Sequence, residues 1–192
     1  MVLAGSARAG EYNETLSVGD RAPAWAGLPG VDGKKHALAD LKDKDVAVLV
    51  FTCNSCPIAV AYEDRLIAFT RKYAGPKGKV AVVAVNVNTI PQDRLPKMKE
   101  RAKAKGFNFP YLYDESQKIA RAYGASTTPE FFVLDRERKV VYMGAMDDKI
   151  KTADVKVNYL EPAVQAALRG GRPKVTETLA RGCLIRYARK RK

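Results

Sequence analysis

The chain has 192 residues, a length that suits one domain with an ordinary core. It is 46% hydrophobic and 29% charged, a balance that argues against disorder, and no apolar run approaches the length of a membrane-spanning helix. The net charge is +13, from 34 basic and 21 acidic residues. About half of that excess lies past Gly170, where eight Lys and Arg residues face Glu177 alone. No zinc-finger spacing and no RNA-binding aromatic motif accompanies the charge, so nucleic-acid readout is not expected.

Residues 1–16 read as a leader. Val2-Leu3-Ala4-Gly5 followed by Ala7-Arg8-Ala9 resembles the end of a signal peptide with its A-x-A cleavage site. This predicts a mature start near Gly10 and work outside the cytoplasm, in a bacterial periplasm or exported, with a flexible cytoplasmic leader as the alternative. Residues 17–170 form the predicted domain and 171–192 a basic extension.

Gly19 to Asp32 is loop-like, and Asp32-Gly33 is a hairpin turn signal. Val46 to Thr52, "VAVLVFT", is a nearly unbroken apolar run and predicts a strand buried on both faces. A helix is expected from Ser55 to Tyr73, because Ile58, Tyr62, Leu66, Phe69 and Tyr73 make one apolar stripe. Lys79 to Val87 reads as a second buried strand. A basic surface helix is expected from near Asp93 to before Gly106, then a short strand Tyr111–Tyr113. A short helix capped by Ser116 and ended by Gly124 comes next. "TPEFFVLDRERKVVYMG" predicts two strands around Asp135–Arg138, and Asn158 to Arg169 a last helix. Early strands separated by helices imply parallel crossovers, and the later hairpin adds antiparallel strands.

"FTCNSCP" places Cys53 and Cys56 at once after the first buried strand. A cysteine attacks as thiolate, and a helix N-terminus favours that charge. Cys53 is therefore expected exposed at the strand end, with Cys56 more buried and near enough to resolve a mixed disulfide. Zinc is the competing reading. It needs four ligands, and only Cys183 and His36 remain to supplement the pair, so no metal is expected.

Four phrases carry a family resemblance: "SVGDRAPAWAGLPGVDGKKHALADL", "FTCNSCPIAVAYEDRL", "GFNFPYLYDESQKIARAYGASTTPEFFVLD" and "GCLIRY". With them the chain resembles the thioredoxin-like superfamily, in the redoxin branch that includes alkyl hydroperoxide reductase/thiol-specific antioxidant proteins. The resemblance implies an α/β fold with a central mixed sheet flanked by helices, here with an N-terminal hairpin and a C-terminal extension. It also implies that Pro129, preceded by Thr128, is a cis proline facing the cysteines, where an extended peptide docks on the backbone of Thr128. The activity implied is thiol–disulfide exchange with protein disulfides, with a thiol protein as electron partner and no dissociable cofactor. Cell redox homeostasis is the corresponding role.

Departures from the family patterns bear on that activity. Peroxiredoxins resemble Pro-x-x-x-Thr/Ser-x-x-Cys, and aligning their cysteine with Cys56 puts Leu49 and Cys53 where proline and the hydroxyl belong. Thiol peroxidase, an antioxidant activity, is therefore the alternative, and a redox-sensing or metal-carrying module the non-enzymatic one. The acid that thioredoxins carry on the first buried strand falls at Ala47, so Glu130 and Glu63 are the candidate proton acceptors. Asn86 and Asn88 are candidates for lining the cleft. Cys183 is either a lone buried cysteine or, as the similar tail phrase of relatives implies, a third thiol near the site.

Overall fold

The computed structural model describes residues 10–75 and 78–188. The expected cleavage motif Ala7-Arg8-Ala9 and the last four basic residues lie outside them. A short hairpin comes first: β1 (Leu28–Pro29) and β2 (Lys35–His36) pair antiparallel across Asp32-Gly33, with Gly33 at φ 82°. β3 (Val46–Phe51) follows and leads into α1 (Pro57–Tyr73), β4 (Val80–Asn86), α2 (Leu95–Lys105) and β5 (Tyr111–Tyr113). α3 (Lys118–Tyr123), β6 (Thr127–Thr128), β7 (Glu130–Leu134), β8 (Val140–Gly144), α4 (Leu160–Leu168) and β9 (Cys183–Leu184) complete the order.

Five strands form the main sheet in the order β5-β4-β3-β7-β8. β3 runs parallel to β4 and antiparallel to β7, and all six of its residues are buried. The alternation along β3 explains its unbroken apolar sequence. Val46, Val48 and Val50 face a core built with Tyr62, Leu66 and Phe69 of α1 and with α4. Ala47, Leu49 and Phe51 face the opposite core, with Trp25, Tyr123 and Phe132. A strand covered on both faces has no polar side to show. Phe51, Tyr123 and Phe132 meet edge to face, with centroids 5.4–5.7 Å apart.

Two expected helix starts are corrected. α2 begins at Leu95, because Pro91–Asp93 is a separate 3-10 turn. α3 has Gln117 rather than Ser116 at its N-cap, with φ 58°; Asp114 Oδ2 accepts from the Ile119 N–H at 2.8 Å and Ser116 Oγ from the Lys118 N–H at 3.3 Å. Residues 10–16 lie against the body, where Asn13 Nδ2 donates to the Tyr123 carbonyl at 2.8 Å and Leu16 enters the core. No helix among the described residues is long and apolar enough to cross a membrane.

Candidate active site

Three chain crossings converge at one end of the sheet. Phe51, the last residue of β3, pairs with Val85 on one side and Glu130 on the other. The loop after β3, the loop after β4 and the loop before β7 therefore leave the sheet at the same level. They carry Cys53 to Cys56, Asn88 to Asp93, and Ser126 to Pro129.

Cys56 is the N-cap of α1, and its sulfur accepts from the Ala59 N–H at 3.4 Å. Pro57 fills the first helical position, where a missing N–H costs nothing. The expectation of an exposed Cys53 is corrected: Cys53 is 3% and Cys56 2% exposed. Thr128 and the C-terminal segment cover them. Cys53 Sγ lies 3.4 Å from Thr128 Oγ1 and 3.7 Å from Ser55 Oγ. Cys56 Sγ lies 3.2 Å from the Thr128 carbonyl oxygen. The Thr128-Pro129 bond is cis.

Cys183 is brought to the same place. It is disulfide-bonded to Cys56 across 127 residues of sequence, with Cα atoms 5.9 Å apart, and Cys53 is the free cysteine. Cys53, Cys56 and Ala59 form one small cluster with Ile58 and Cys183 packed on it. The approach is set by β9, which pairs antiparallel with β6 so that Cys183 stands opposite Thr128.

Asp93 is the residue that sequence reading passed over. It is fully buried, and Oδ1 accepts from the N–H groups of Asn54 and Ser55 at 2.7 and 3.0 Å. Its Oδ2 accepts from Ser55 Oγ at 2.6 Å and from Asn88 Nδ2 at 3.2 Å. One carboxylate thus holds the whole inter-cysteine dipeptide. The available signal was an acid set among "NVNTIPQD", a polar, proline-bearing stretch directly after a buried strand. Asp93→Ala is expected to destabilise the protein by about 3 kcal/mol, since three donors on residues 54 and 55 lose a charged acceptor. Urea unfolding checks this, and an unchanged midpoint would contradict the assigned role.

The other candidates are placed differently from one another. Glu63 is paired with Arg101 through bonds of 2.9 and 2.7 Å and borders the same small cavity as Cys53. Asn86 does not line an open cleft. It is fully buried, donating to the Asp93 carbonyl at 3.0 Å and to Tyr111 Oη at 3.2 Å. Asn88 is likewise buried, its N–H bonded to Asn86 Oδ1 at 3.0 Å. Tyr111 donates to Asn54 Oδ1 at 3.0 Å, and burial, reinforced by the nearby Cys53 and Asp93, pushes its pKa up so that it stays protonated.

Glu130 is engaged with the loop that precedes it. Its Oε2 accepts from the N–H groups of Ser126 and Thr127 at 2.8 and 3.1 Å, with both hydroxyls at 3.4 Å. Burial raises its pKa above the ordinary 4.5, opposed in part by those bonds. A carboxyl raised on folding contributes stability that is complete below its unfolded pKa and lost as pH rises through its folded one. Glu130→Gln is therefore expected to gain relative to wild type as pH rises from 4.5 upward. Denaturant midpoints at pH 4 and pH 7 read this, and a relative loss at pH 7 would reverse the assignment.

Among the described residues no three His, Cys, Asp or Glu side chains gather to hold a metal ion. His36 instead lies 3.1 Å from Asp32 in the hairpin.

A mixed sheet with helices on both faces, a strand-end cysteine pair and a cis proline facing it define a protein of thioredoxin-like fold. Residues 17–159 match the Redoxin family model, and the chain belongs to that family. A hypothetical protein of Sinorhizobium meliloti 1021 superposes with a TM-score of 0.83 at 37% identity, over 92% of this chain and 97% of that one. Thiol-disulfide oxidoreductase ResA of Bacillus subtilis (strain 168) is 32% identical over 130 residues, 67% of each chain. A Mycobacterium tuberculosis protein named "Putative peroxiredoxin" is 29% identical over 142 residues, 66% of this chain and 83% of that one.

Proposed function

We propose that the protein is a thiol–disulfide oxidoreductase that exchanges with protein disulfides. Cys53 attacks a substrate disulfide, and Cys56 resolves the mixed disulfide that forms. Thr128 and Pro129 dock the substrate backbone, and a second thiol protein exchanges electrons with the site. No dissociable cofactor takes part. The observation that carries this reading is the position of Cys53 and Cys56, packed in one sulfur cluster against Thr128 with the helix N-terminus behind Cys56. Similarity to ResA supports the same class of reaction.

The test is insulin reduction driven by dithiothreitol, run beside hydrogen peroxide consumption. Catalysed insulin precipitation with slow peroxide loss is the expected result. Fast peroxide turnover without insulin reduction would replace this reading by the thiol peroxidase, the activity that the name of the Mycobacterium relative describes.

A further inference from the structure

The edge proposed above to receive a substrate is taken by the chain's own tail. β9 lies antiparallel on β6, with Cys183 opposite Thr128 and Leu184 opposite Thr127. The Ile185 N–H donates to the Ser126 carbonyl at 2.9 Å. The segment alternates as a bound strand does: Leu184 is 76% exposed and Ile185 6%. Tyr187 Oη donates to the Ala125 carbonyl at 2.6 Å, and Gln117 clasps the backbone on either side, donating to the Arg186 carbonyl and accepting from the Ala188 N–H.

The sequence is built for this approach. A Cβ at Gly182 would run into the Thr128 carbonyl and stand 3.0 Å from Pro129 N, so only glycine lets the tail backbone come so near. The next residue delivers a sulfur onto Cys56.

We propose that Cys183 is a third redox-active cysteine of this site, and that Gly182–Tyr187 is a tethered stand-in for the extended peptide substrate. The proposal rests on the reading of Cys53 and Cys56 given above. Both of those sulfurs are sealed, whereas Cys183 is partly exposed. A dithiol reductant therefore attacks Cys183 Sγ. The Cys56–Cys183 bond breaks and Cys56 leaves as thiolate, at a helix N-terminus that suits that charge. The second thiolate of the reductant then attacks its own bound sulfur. Cys183 is released and takes up a proton, as does Cys56, and the reductant departs as a disulfide.

With the tether cut, the tail lifts from β6 and Cys53 meets the substrate. Cys53 thiolate attacks the substrate disulfide and expels one substrate thiolate. Cys56 attacks Cys53 Sγ, expels the second, and forms Cys53–Cys56. Cys183 then attacks Cys56 Sγ, which restores Cys56–Cys183 and returns Cys53 as a thiol. One substrate disulfide is reduced to two thiols for each dithiol oxidised.

The test begins with wild-type protein equilibrated in oxidised dithiothreitol, alkylated, digested and mapped by mass spectrometry. The expected product links Cys56 to Cys183 and carries the label on Cys53. A Cys53–Cys56 link with the label on Cys183, or no internal disulfide, would overturn the inference. The first of these leaves the Cys53 and Cys56 exchange intact, and that reading is judged separately by insulin reduction. In Gly182→Ala, which keeps all three sulfurs, the linkage is expected to shift mainly to Cys53–Cys56, and an unchanged Cys56–Cys183 share would overturn the docking. As a check that needs no variant, adding dithiothreitol to wild type is expected to raise amide exchange at Ile185 by roughly tenfold or more. An unchanged rate would show that the tail does not lift.

Discussion

Cys53→Ser is expected to lower insulin reduction by on the order of 10³-fold or more, because the reaction loses its nucleophile rather than a supporting contact. A serine hydroxyl in the same pocket, 3% exposed and beside Thr128, is far harder to ionise than a thiol and cannot form a mixed disulfide. Cys56→Ser should fail differently. Cys53 still attacks, but the sulfur that resolves the product is gone, so a mixed disulfide accumulates and is visible as a covalent adduct on a non-reducing gel. The pair of variants also separates the two chemistries. If Cys56 is instead the peroxide-reactive sulfur, Cys53→Ser keeps peroxide consumption and Cys56→Ser abolishes it. Full insulin activity in Cys53→Ser would overturn the assignment of the attacking sulfur.

Reducing the Cys56–Cys183 disulfide is expected to cost about 5 kcal/mol of stability in the chain-entropy account, because the bond closes a very long loop. Its 127-residue span takes in every element from α1 to α4, nearly all of the fold beyond β3. For a chain of this size the difference corresponds to a melting temperature lower by about 10–20 °C. Thermal melts with and without dithiothreitol measure it, and in dithiothreitol Cys183→Ser should melt with the reduced wild type. By linkage the native fold favours closing this disulfide by the same free energy. A difference below about 1 kcal/mol would mean that the tail is held by its backbone bonds alone.

The parts of the fold that periodicity governs were legible. β3 and β4 are runs covered on both faces, and the stripe Ile58, Tyr62, Leu66, Phe69 and Tyr73 marks α1. The cysteine pair was legible because its spacing is local, and Thr128-Pro129 through the family resemblance. What escaped was non-local or hidden by an ordinary role. Asp93 reads as a helix-start acid, and only the fold shows a 3-10 turn carrying it under residues 54 and 55. Cys183 could be named but not paired, since its partner depends on where the tail crosses the sheet. Exposure of Cys53 was misjudged for the same reason, as the cover comes from Thr128 and the distant tail.

The grip of Asp93 on Asn54 and Ser55 also limits how the pair can be re-engineered. It uses two backbone N–H groups that any residue except proline supplies. A Gly-Pro or Pro-His dipeptide removes one of these backbone donors and the Ser55 hydroxyl as well. Grafting either between Cys53 and Cys56 is expected to cost about 1–3 kcal/mol, measured by urea unfolding, because a buried carboxylate is left short of a partner. A graft as stable as wild type would contradict this. The inter-cysteine positions are therefore closed to proline through the backbone, and position 55 also calls for a side-chain donor.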